Sequence, residues 1–304
     1  MNPTRRSFLA QLAGLGTLMS RADLLHAQER LPTRPIPVSG ETLPVVGLGS
    51  TKAVLEIETE GPGPLDSVIR TLLERGGRVV DTSPRSEEID LEFGRILRQP
   101  DLRERLFVAT KINTDDADEG IAQMRQNQRL LAGGPVDLVQ IESLRGIDRH
   151  WPNARGWRES GEARYIGVTV SSNDAHDAVE SFLRGHELDF VHVNFSVVET
   201  GAEERILPLA RDRGVAVLVN RPFMNGAYFG LVEGRELPSW ARELGCETWA
   251  QFSLKYVLSD PAVTCVLTET TNPDHMDENV DAALGRLPDE AERARMRELA
   301  RTFS

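Results

Sequence analysis

The strongest constraint on the fold is a regular alternation between short β-branched runs and stretches with helical periodicity. Eight runs rich in valine and isoleucine predict strands, at residues 45–48, 78–80, 106–111, 136–142, 165–170, 190–194, 215–220 and 263–267. Nearly continuous apolar runs of this kind are typical of a parallel sheet covered by helices. Within residues 35–304 they predict an α/β fold of the (β/α)8 TIM-barrel type. A doubly wound open sheet is the alternative, but no G-x-G-x-x-G motif follows an early strand.

The stretches between the runs have apolar residues spaced three and four apart. Two of these stretches predict amphipathic helices, with the apolar faces Leu65, Val68, Ile69, Leu72 and Leu73, and Ala175, Ala178, Val179, Phe182 and Leu183. Residues 145–162 are rich in arginine and tryptophan and only weakly periodic, so they predict a short, irregular fourth helix. The proline-containing residues 35–44 predict a small N-terminal hairpin across the floor of the barrel.

Residues 1–27 have the pattern of an export signal. Arg5 and Arg6 precede Phe8 and Leu9, a weakly apolar run follows at residues 10–19, and a small-residue cleavage site fits at residues 25–27. The paired arginines are typical of a twin-arginine signal, and an ordinary amphipathic helix is the alternative. We therefore predict a signal peptide at 1–27, a single barrel domain at 28–304, and a periplasmic or other extracytoplasmic location. The apolar run is shorter than the about 20 residues of a membrane span, so none is predicted in the mature form.

Charge and cysteine content narrow the classes of partner. The formal net charge is −12, and residues 1–27 contribute +2, so the remainder carries −14. An acidic body disfavours nucleic acid and anionic membranes as partners. The two cysteines, Cys246 and Cys265, lack metal-ligand spacing, so no metal site is predicted, while a disulfide between them stays open.

Charged residues stand at the ends of three predicted strands. Asp81, Lys111 and Glu142 occupy these positions, and the C-terminal strand ends of a TIM barrel form the mouth where its chemistry takes place. Lys111 is one of only three lysines in the chain. A catalytic pair and a purely structural ion pair of Asp81 with Lys111 are both consistent with this placement. Ser86 precedes a predicted helix and suits its N-cap.

Six motifs, in their order and spacing, resemble the aldo-keto reductase family over nearly all of residues 35–304. They are V-V-G-L-G-S from residue 45, R-V-V-D-T-S-P from 78, L-F-V-A-T-K from 106, V-D-L-V-Q-I-E from 136, Y-I-G-V-T from 165 and T-N-P-D-H-M-D-E-N from 271. The resemblance implies an (α/β)8 barrel that binds NADP(H) without a Rossmann motif and reduces a small-molecule carbonyl to an alcohol. In this family a tyrosine donates the proton, an aspartate–lysine pair lowers the pKa of that tyrosine, and a histidine orients the carbonyl.

The resemblance assigns the catalytic positions to Asp81, Ser86, Lys111 and Glu142, and two of them depart from the family. Asp81 and Lys111 match the aspartate–lysine pair. Ser86 stands in place of the tyrosine, and Glu142 stands in place of the histidine. A serine hydroxyl titrates far above neutral pH and is shorter by a ring, so it cannot simply replace a phenol. The alternative proton donors are water, Glu142, Glu87 and Tyr228.

The resemblance also implies a set of cofactor-binding residues, which are Thr169, His192, Asn220, Arg221, Thr270, His275, Glu278 and Asn279. His192 replaces a glutamine that contacts the carboxamide, and Asn220 replaces an aromatic residue that stacks on the nicotinamide. Glu269 and His275 stand where the family has basic residues for the 2′-phosphate. A glutamate there repels a phosphate.

Two functions from different classes follow. The first is an exported NADP(H)-dependent reductase with a degenerate catalytic tetrad. The second is a catalytically silent barrel of the cell envelope that binds a small molecule or a protein partner. A hydrolase or lyase built on Asp81 and Glu142 is a third possibility without a nucleophile motif to support it. Whether the chain is an enzyme, and its oligomeric state, stay open at this stage.

Overall fold

The computed structural model describes residues 31–303, and the predicted signal peptide at residues 1–27 lies outside them. The strands of the described part are β1 Thr33–Pro35, β2 Thr42–Pro44, β3 Val46–Gly49, β4 Val79–Asp81, β5 Phe107–Ile112, β6 Val136–Glu142, β7 Ala163–Thr169, β8 Phe190–Asn194, β9 Ala216–Asn220 and β10 Val263–Thr268. Strands β3 to β10 pair in parallel in chain order, and β10 closes the barrel against β3. The predicted (β/α)8 barrel is confirmed.

Helices follow most of the barrel strands. The α-helices of residues 31–303 are Ile57–Glu60, Gly63–Glu74, Glu87–Leu97, Pro100–Arg103, Ala117–Gln126, Ile147–Ser160, His176–Gly185, Gly201–Asp212, Ala227–Val232, Ser239–Glu243, Trp249–Leu258, Pro273–Asp281 and Glu290–Ala300. A π-helical segment, Asn127–Ala132, continues the helix before it. Within the described residues, no helix has both the length and the apolar character needed to cross a membrane.

The interior of the barrel is divided along its axis into an apolar half and a polar half. At the N-terminal end, Phe107, Tyr165 and Phe190 pack with ring centroids 5.5 to 6.1 Å apart. Strands β1 and β2 form an antiparallel hairpin that contributes buried Ile36 and Leu43 to this layer. The predicted floor hairpin is therefore confirmed, and the buried polar groups Asp81, Lys111, Gln140 and His192 lie on the other side of this apolar layer, toward the C-terminal end of the barrel.

The prediction of a short, irregular fourth helix is wrong. Ile147–Ser160 is a regular helix of 14 residues that includes Pro152. Its buried residues are His150, Trp151, Ala154 and Trp157, so the two tryptophans supply the apolar stripe that holds the helix on the barrel. Charged residues on both sides of the tryptophans obscure this stripe in the sequence.

The buried face of the helix His176–Gly185 also differs from its prediction. His176, Val179, Phe182 and Leu183 are buried, whereas Ala178 is exposed. The buried histidine is tolerated because its Nε2 pairs with Oδ1 of Asn194 at 3.0 Å. The face predicted for the helix Gly63–Glu74 is confirmed, since all five of its apolar residues are buried.

Gly94 marks the closest approach between two helical segments. A Cβ at this position, inside the helix Glu87–Leu97, would lie 1.7 Å from the carbonyl oxygen of Leu130 in the π-helical segment. Backbone atoms cannot yield to such an overlap as a flexible side chain can. Glycine is therefore required here by packing, because only its missing side chain lets the two backbones touch.

We predict that Gly94→Ala destabilises the protein by about 2 kcal/mol or more, since the added methyl group forces the two segments apart. Gly156→Ala is the matched control, because Gly156 is also inside a helix but has open space around its Cβ position. Better helix propensity should raise the free energy of unfolding of that variant by up to about 1 kcal/mol. Urea unfolding of both variants measures the difference, and equal effects would contradict the role assigned to packing.

Candidate active site

A cavity of about 550 Å³ opens at the C-terminal end of the barrel strands. Six of the strands contribute residues predicted to form the site, which are Asp81 from β4, Lys111 from β5, Glu142 from β6, Thr169 from β7, His192 from β8 and Asn220 from β9. Convergent polar groups in a concave site at this face are typical of the active sites of TIM barrels.

Asp81 and Lys111 form a buried ion pair at the base of the cavity. Lys111 Nζ donates to Asp81 Oδ2 at 2.5 Å and to the backbone carbonyl of Thr82 at 2.9 Å. The side chains are only 3% and 7% exposed. An ammonium group has three N–H donors, so these contacts leave one for a ligand. The sequence placed both residues at strand ends, and the structure brings them together.

Gln140 extends this pair across the barrel and was not predicted as a site residue. Its Nε2 donates to Asp81 Oδ1 at 2.7 Å, and its Oε1 lies 3.0 Å from Nδ1 of His192. Gln140 is fully buried. In the sequence, Gln140 lies two residues before Glu142, between the apolar residues Val139 and Ile141. A polar side chain at this position in a buried strand could have indicated a site residue. What the sequence does not show is that its partners come from β4 and β8, each two strands away from β6 in the barrel.

His192 is buried, and burial lowers the pKa of its imidazole to about 4. Nearby Asp81 opposes this shift of the pKa, while Lys111 adds to it. The ring is therefore neutral at pH 7. Its Nε2 has no hydrogen-bond partner within the described residues.

Glu142 lines the cavity and is partly exposed. Its Oε2 accepts a hydrogen bond from Ser83 Oγ at 3.3 Å. Glu142 differs from Asp81 because Asp81 already has two partners on its carboxylate. The Glu142 carboxyl group is thus the freer of the two for contact with a ligand.

The other proposed proton donors are not in the cavity. Ser86 is exposed and caps the helix Glu87–Leu97 by accepting the N–H of Ile89 at 3.4 Å. Glu87 is exposed and pairs with Arg129 at 2.8 Å. Tyr228 is fully buried, donates to the carbonyl of Trp249 at 3.0 Å, and has its pKa raised by burial. The cavity lining contains Ser83 and Glu142 but none of these three residues.

Four of the residues predicted to bind a cofactor line one side of the cavity. They are Thr169, His192, Asn220 and Arg221. Asn220 donates to the carbonyl of Val170 at 2.9 Å, and its Oδ1 has no partner within residues 31–303. Arg221 has a positive φ of 55° and pairs with Glu199 at 3.3 Å. The side chain is thereby held at the rim of the cavity.

The loop after β10 forms the opposite side. Thr270 and His275 line the cavity there, with Thr270 Oγ1 3.4 Å from Nδ1 of His275. Glu269 accepts hydrogen bonds from the backbone N–H groups of Lys52 and Ala53, so its carboxylate is fixed at this rim. Two predicted cofactor residues, Glu278 and Asn279, are not among the cavity-lining residues. Glu278 accepts instead from the Thr248 hydroxyl, and Asn279 is buried.

The loop after β9 supplies an aromatic wall that the sequence did not predict. Phe223 and Phe229 line the cavity with ring centroids 5.1 Å apart, and Phe229 is 45% exposed. The cavity therefore has an aromatic surface near Asn220, even though the strand end itself lacks an aromatic side chain.

Among the described residues, no group of three or more potential ligands is placed to hold a metal ion. Cys246 and Cys265 are buried and free. Burial raises the pKa of the Cys246 thiol to about 11, so neither a disulfide nor a reactive thiolate is part of the site.

A closed eight-stranded barrel with an aspartate–lysine pair at its mouth defines the class, and comparison with known proteins agrees. The family model described as "Aldo/keto reductase family" matches residues 65–300. The chain therefore belongs to the aldo-keto reductase family. The resemblance seen in the sequence motifs is thereby confirmed at the level of the family.

Individual relatives are distant. The chain is 26% identical over 170 residues to the NADH-specific methylglyoxal reductase of Escherichia coli (strain K12), covering 47% of this chain and 50% of that protein. It thus spans about half the length of the curated relatives that it matches. The holo form of aldo-keto reductase AKR11C1 from Bacillus halodurans has a TM-score of 0.73 at 20% identity, over 90% of this chain and 97% of that one.

A second solved structure has a similar likeness. The aldo/keto reductase from Klebsiella pneumoniae in complex with NADP and acetate has a TM-score of 0.67 at 18% identity, over 86% of this chain and 92% of that one. At these identities the structural likeness shows the shared fold alone.

We predict that Lys111→Met lowers the free energy of unfolding by about 3–5 kcal/mol, because it leaves Asp81 as an unpaired buried charge. Adding Asp81→Asn should recover much of this loss, since the charge is removed while an oxygen remains to accept from Gln140. Lys52→Met is the control, because Lys52 is an exposed lysine of the same cavity rim. Urea unfolding gives all three values, and additive losses in the double variant would contradict a coupled pair.

Proposed function

We propose that this chain is an NADP(H)-dependent oxidoreductase of the aldo-keto reductase type that reduces the carbonyl of a small molecule to an alcohol. The observation that carries this proposal is the buried Asp81–Lys111 pair at the base of a cavity lined by six of the eight predicted cofactor residues. Membership of the family supports the reaction class. The substrate stays undefined.

The cavity residues fit a nicotinamide dinucleotide. Two buried acceptor atoms of cavity-lining residues, His192 Nε2 and Asn220 Oδ1, have no partner in the described part of the chain, and amide N–H groups complement them. Phe223 offers an aromatic surface beside them. Thr169 contributes a hydroxyl, and Arg221 contributes a positive charge suited to phosphate. When bound, the dinucleotide supplies the hydride.

The chain itself must stabilise the charge that develops on the carbonyl oxygen. Lys111 has one N–H not used by Asp81 or Thr82, and a preorganised ammonium in a buried site stabilises an oxyanion. Glu142 is the candidate proton donor, directly or through water held by Ser83. In this proposal Asp81 keeps Lys111 charged and oriented. Ser86 serves as a helix cap rather than as an acid.

A catalytically silent barrel is the second candidate. One observation favours it, because no tyrosine is among the residues that line the cavity. Binding of the dinucleotide without turnover of any aldehyde or ketone in a broad panel would support this reading over the first.

We predict that NADPH binds with micromolar affinity and quenches tryptophan fluorescence. Arg221→Gln should weaken this binding about tenfold, because a phosphate contact at the rim is lost. Arg213→Gln is the matched control, since Arg213 also contacts backbone carbonyls but precedes β9, at the opposite end of that strand. No quenching and no rise in melting temperature at millimolar NADPH would overturn the proposed activity.

We predict that Glu142→Gln lowers kcat by at least a factor of about 10², the usual contribution of a general acid. The dissociation constant for NADPH should stay within a factor of about two, because Glu142 is not needed for cofactor binding in this proposal. Stopped-flow and steady-state kinetics separate the two quantities. Unchanged kcat would assign the proton to water held by other groups.

We further propose that the protein works outside the cytoplasm. This proposal rests on the arginine pair and apolar run of residues 1–27 alone. Fusion of residues 1–40 to a reporter that is exported only when folded should give periplasmic signal, and replacement of Arg5 and Arg6 by lysine should abolish it. Periplasmic reporter activity that is unchanged by these two substitutions would contradict export by the twin-arginine route.

A further inference from the structure

Four buried side chains from four barrel strands form one continuous hydrogen-bonded chain. It runs from Lys111 on β5 through Asp81 on β4 and Gln140 on β6 to His192 on β8. The three links measure 2.5, 2.7 and 3.0 Å. Each of the four residues is at most 5% exposed. Water therefore cannot replace any of these partners.

The chemistry of the first residue determines the direction of every link. The Lys111 ammonium can only donate, and the ionised Asp81 carboxylate can only accept. Gln140 must therefore turn its NH2 group toward Asp81 and its oxygen toward His192. That oxygen accepts, so the proton of the neutral imidazole lies on Nδ1. Nε2 is left with a lone pair.

Nε2 of His192 is the end of this hydrogen-bonded series and has no partner among residues 31–303. It is buried and unsatisfied within the described residues, and His192 lines the cavity. A buried acceptor without a donor is destabilising. His150 Nδ1 is also buried without a partner among residues 31–303, but His150 does not line the cavity. Because His192 does line it, a ligand group can reach Nε2.

We propose that Gln140 is a positioning residue that holds His192 as the Nδ1–H tautomer, so that Nε2 accepts a hydrogen bond from an N–H or O–H group of the bound ligand. The identity of that donor rests on the proposed function. It is either the amide N–H of the dinucleotide or a hydroxyl of the substrate. In both cases the site selects a ligand with a donor at this point and disfavours one with an acceptor or a methyl group there.

The tautomer is tested without any ligand. In protein labelled with 15N-histidine, long-range 1H–15N correlation spectra distinguish Nδ1–H, Nε2–H and imidazolium forms, and His192→Gln identifies the signals. We expect His192 to be neutral and protonated on Nδ1 between pH 5.5 and 8. An Nε2–H form or a cation at pH 7 would overturn the proposal.

Two variants test the role of Gln140. Gln140→Leu keeps the volume and removes the acceptor, so the Nε2–H form of His192 should become populated. An unchanged tautomer would mean that Gln140 does not position the ring. Gln140→Glu serves if the first variant does not fold, because a carboxylate at Nδ1 favours the imidazolium. The pKa of His192 should then rise by at least one unit, and no rise would contradict the contact.

The ligand that contacts Nε2 is tested with NADPH and its 3-acetylpyridine analogue, in which a methyl group replaces the amide NH2. We expect NADPH to shift the Nε2 resonance and to bind about tenfold more tightly than the analogue, a preference that His192→Phe removes.

A shift of the Nε2 resonance with hydroxyacetone, and not with NADPH, would assign the donor to a substrate hydroxyl. No shift with either would overturn the acceptor role. Failure of NADPH to bind at all would overturn the proposed function, while the ligand-free spectra would still decide the tautomer.

Discussion

The ion pair between Asp81 and Lys111 is the interaction on which the polar half of the barrel depends. Two charges removed from water are tolerated only when they are paired and their remaining hydrogen-bonding groups are satisfied. Asp81 meets this condition through Lys111 and Gln140, while Lys111 uses two of its three N–H groups on Asp81 and the Thr82 carbonyl and keeps the third for a ligand. Because the lysine can only donate, its charge determines the orientation of the Gln140 amide and, through it, the tautomer of His192.

The apolar half of the barrel makes this arrangement possible. Aromatic rings and the hairpin residues Ile36 and Leu43 form a buried apolar layer at the N-terminal end. The ion pair lies above this layer and lines the cavity. Ser86 caps the helix Glu87–Leu97 and is not among the residues that line the cavity. The Lys111 ammonium, paired with Asp81, is a charged hydrogen-bond donor at the cavity base.

Individual residues show how much of the structure can be predicted from local patterns in the sequence. The eight strands were predictable because strands covered by helices are continuous apolar runs. Asp81 and Lys111 were predictable because a charged side chain at the end of such a run points to the barrel mouth. The sequence pattern did not predict the regular helix Ile147–Ser160, because the tryptophans that hold this helix on the barrel are flanked by charged residues in the sequence. Pattern placed residues 222–226 near the cofactor but did not predict the aromatic wall of Phe223 and Phe229, because no periodicity constrains a loop.

The sequence by itself determined the family, the barrel, and the two charged residues at its mouth, since these depend on periodicity and order along one chain. Only the tertiary structure decided which groups share the cavity. It excludes Ser86, Glu87 and Tyr228 from the lining and includes Glu142. It also joins Gln140 to His192, residues 52 positions apart. The physical reason is that hydrogen-bond partners across a barrel are set by strand stagger and side-chain direction, which no short stretch of sequence encodes.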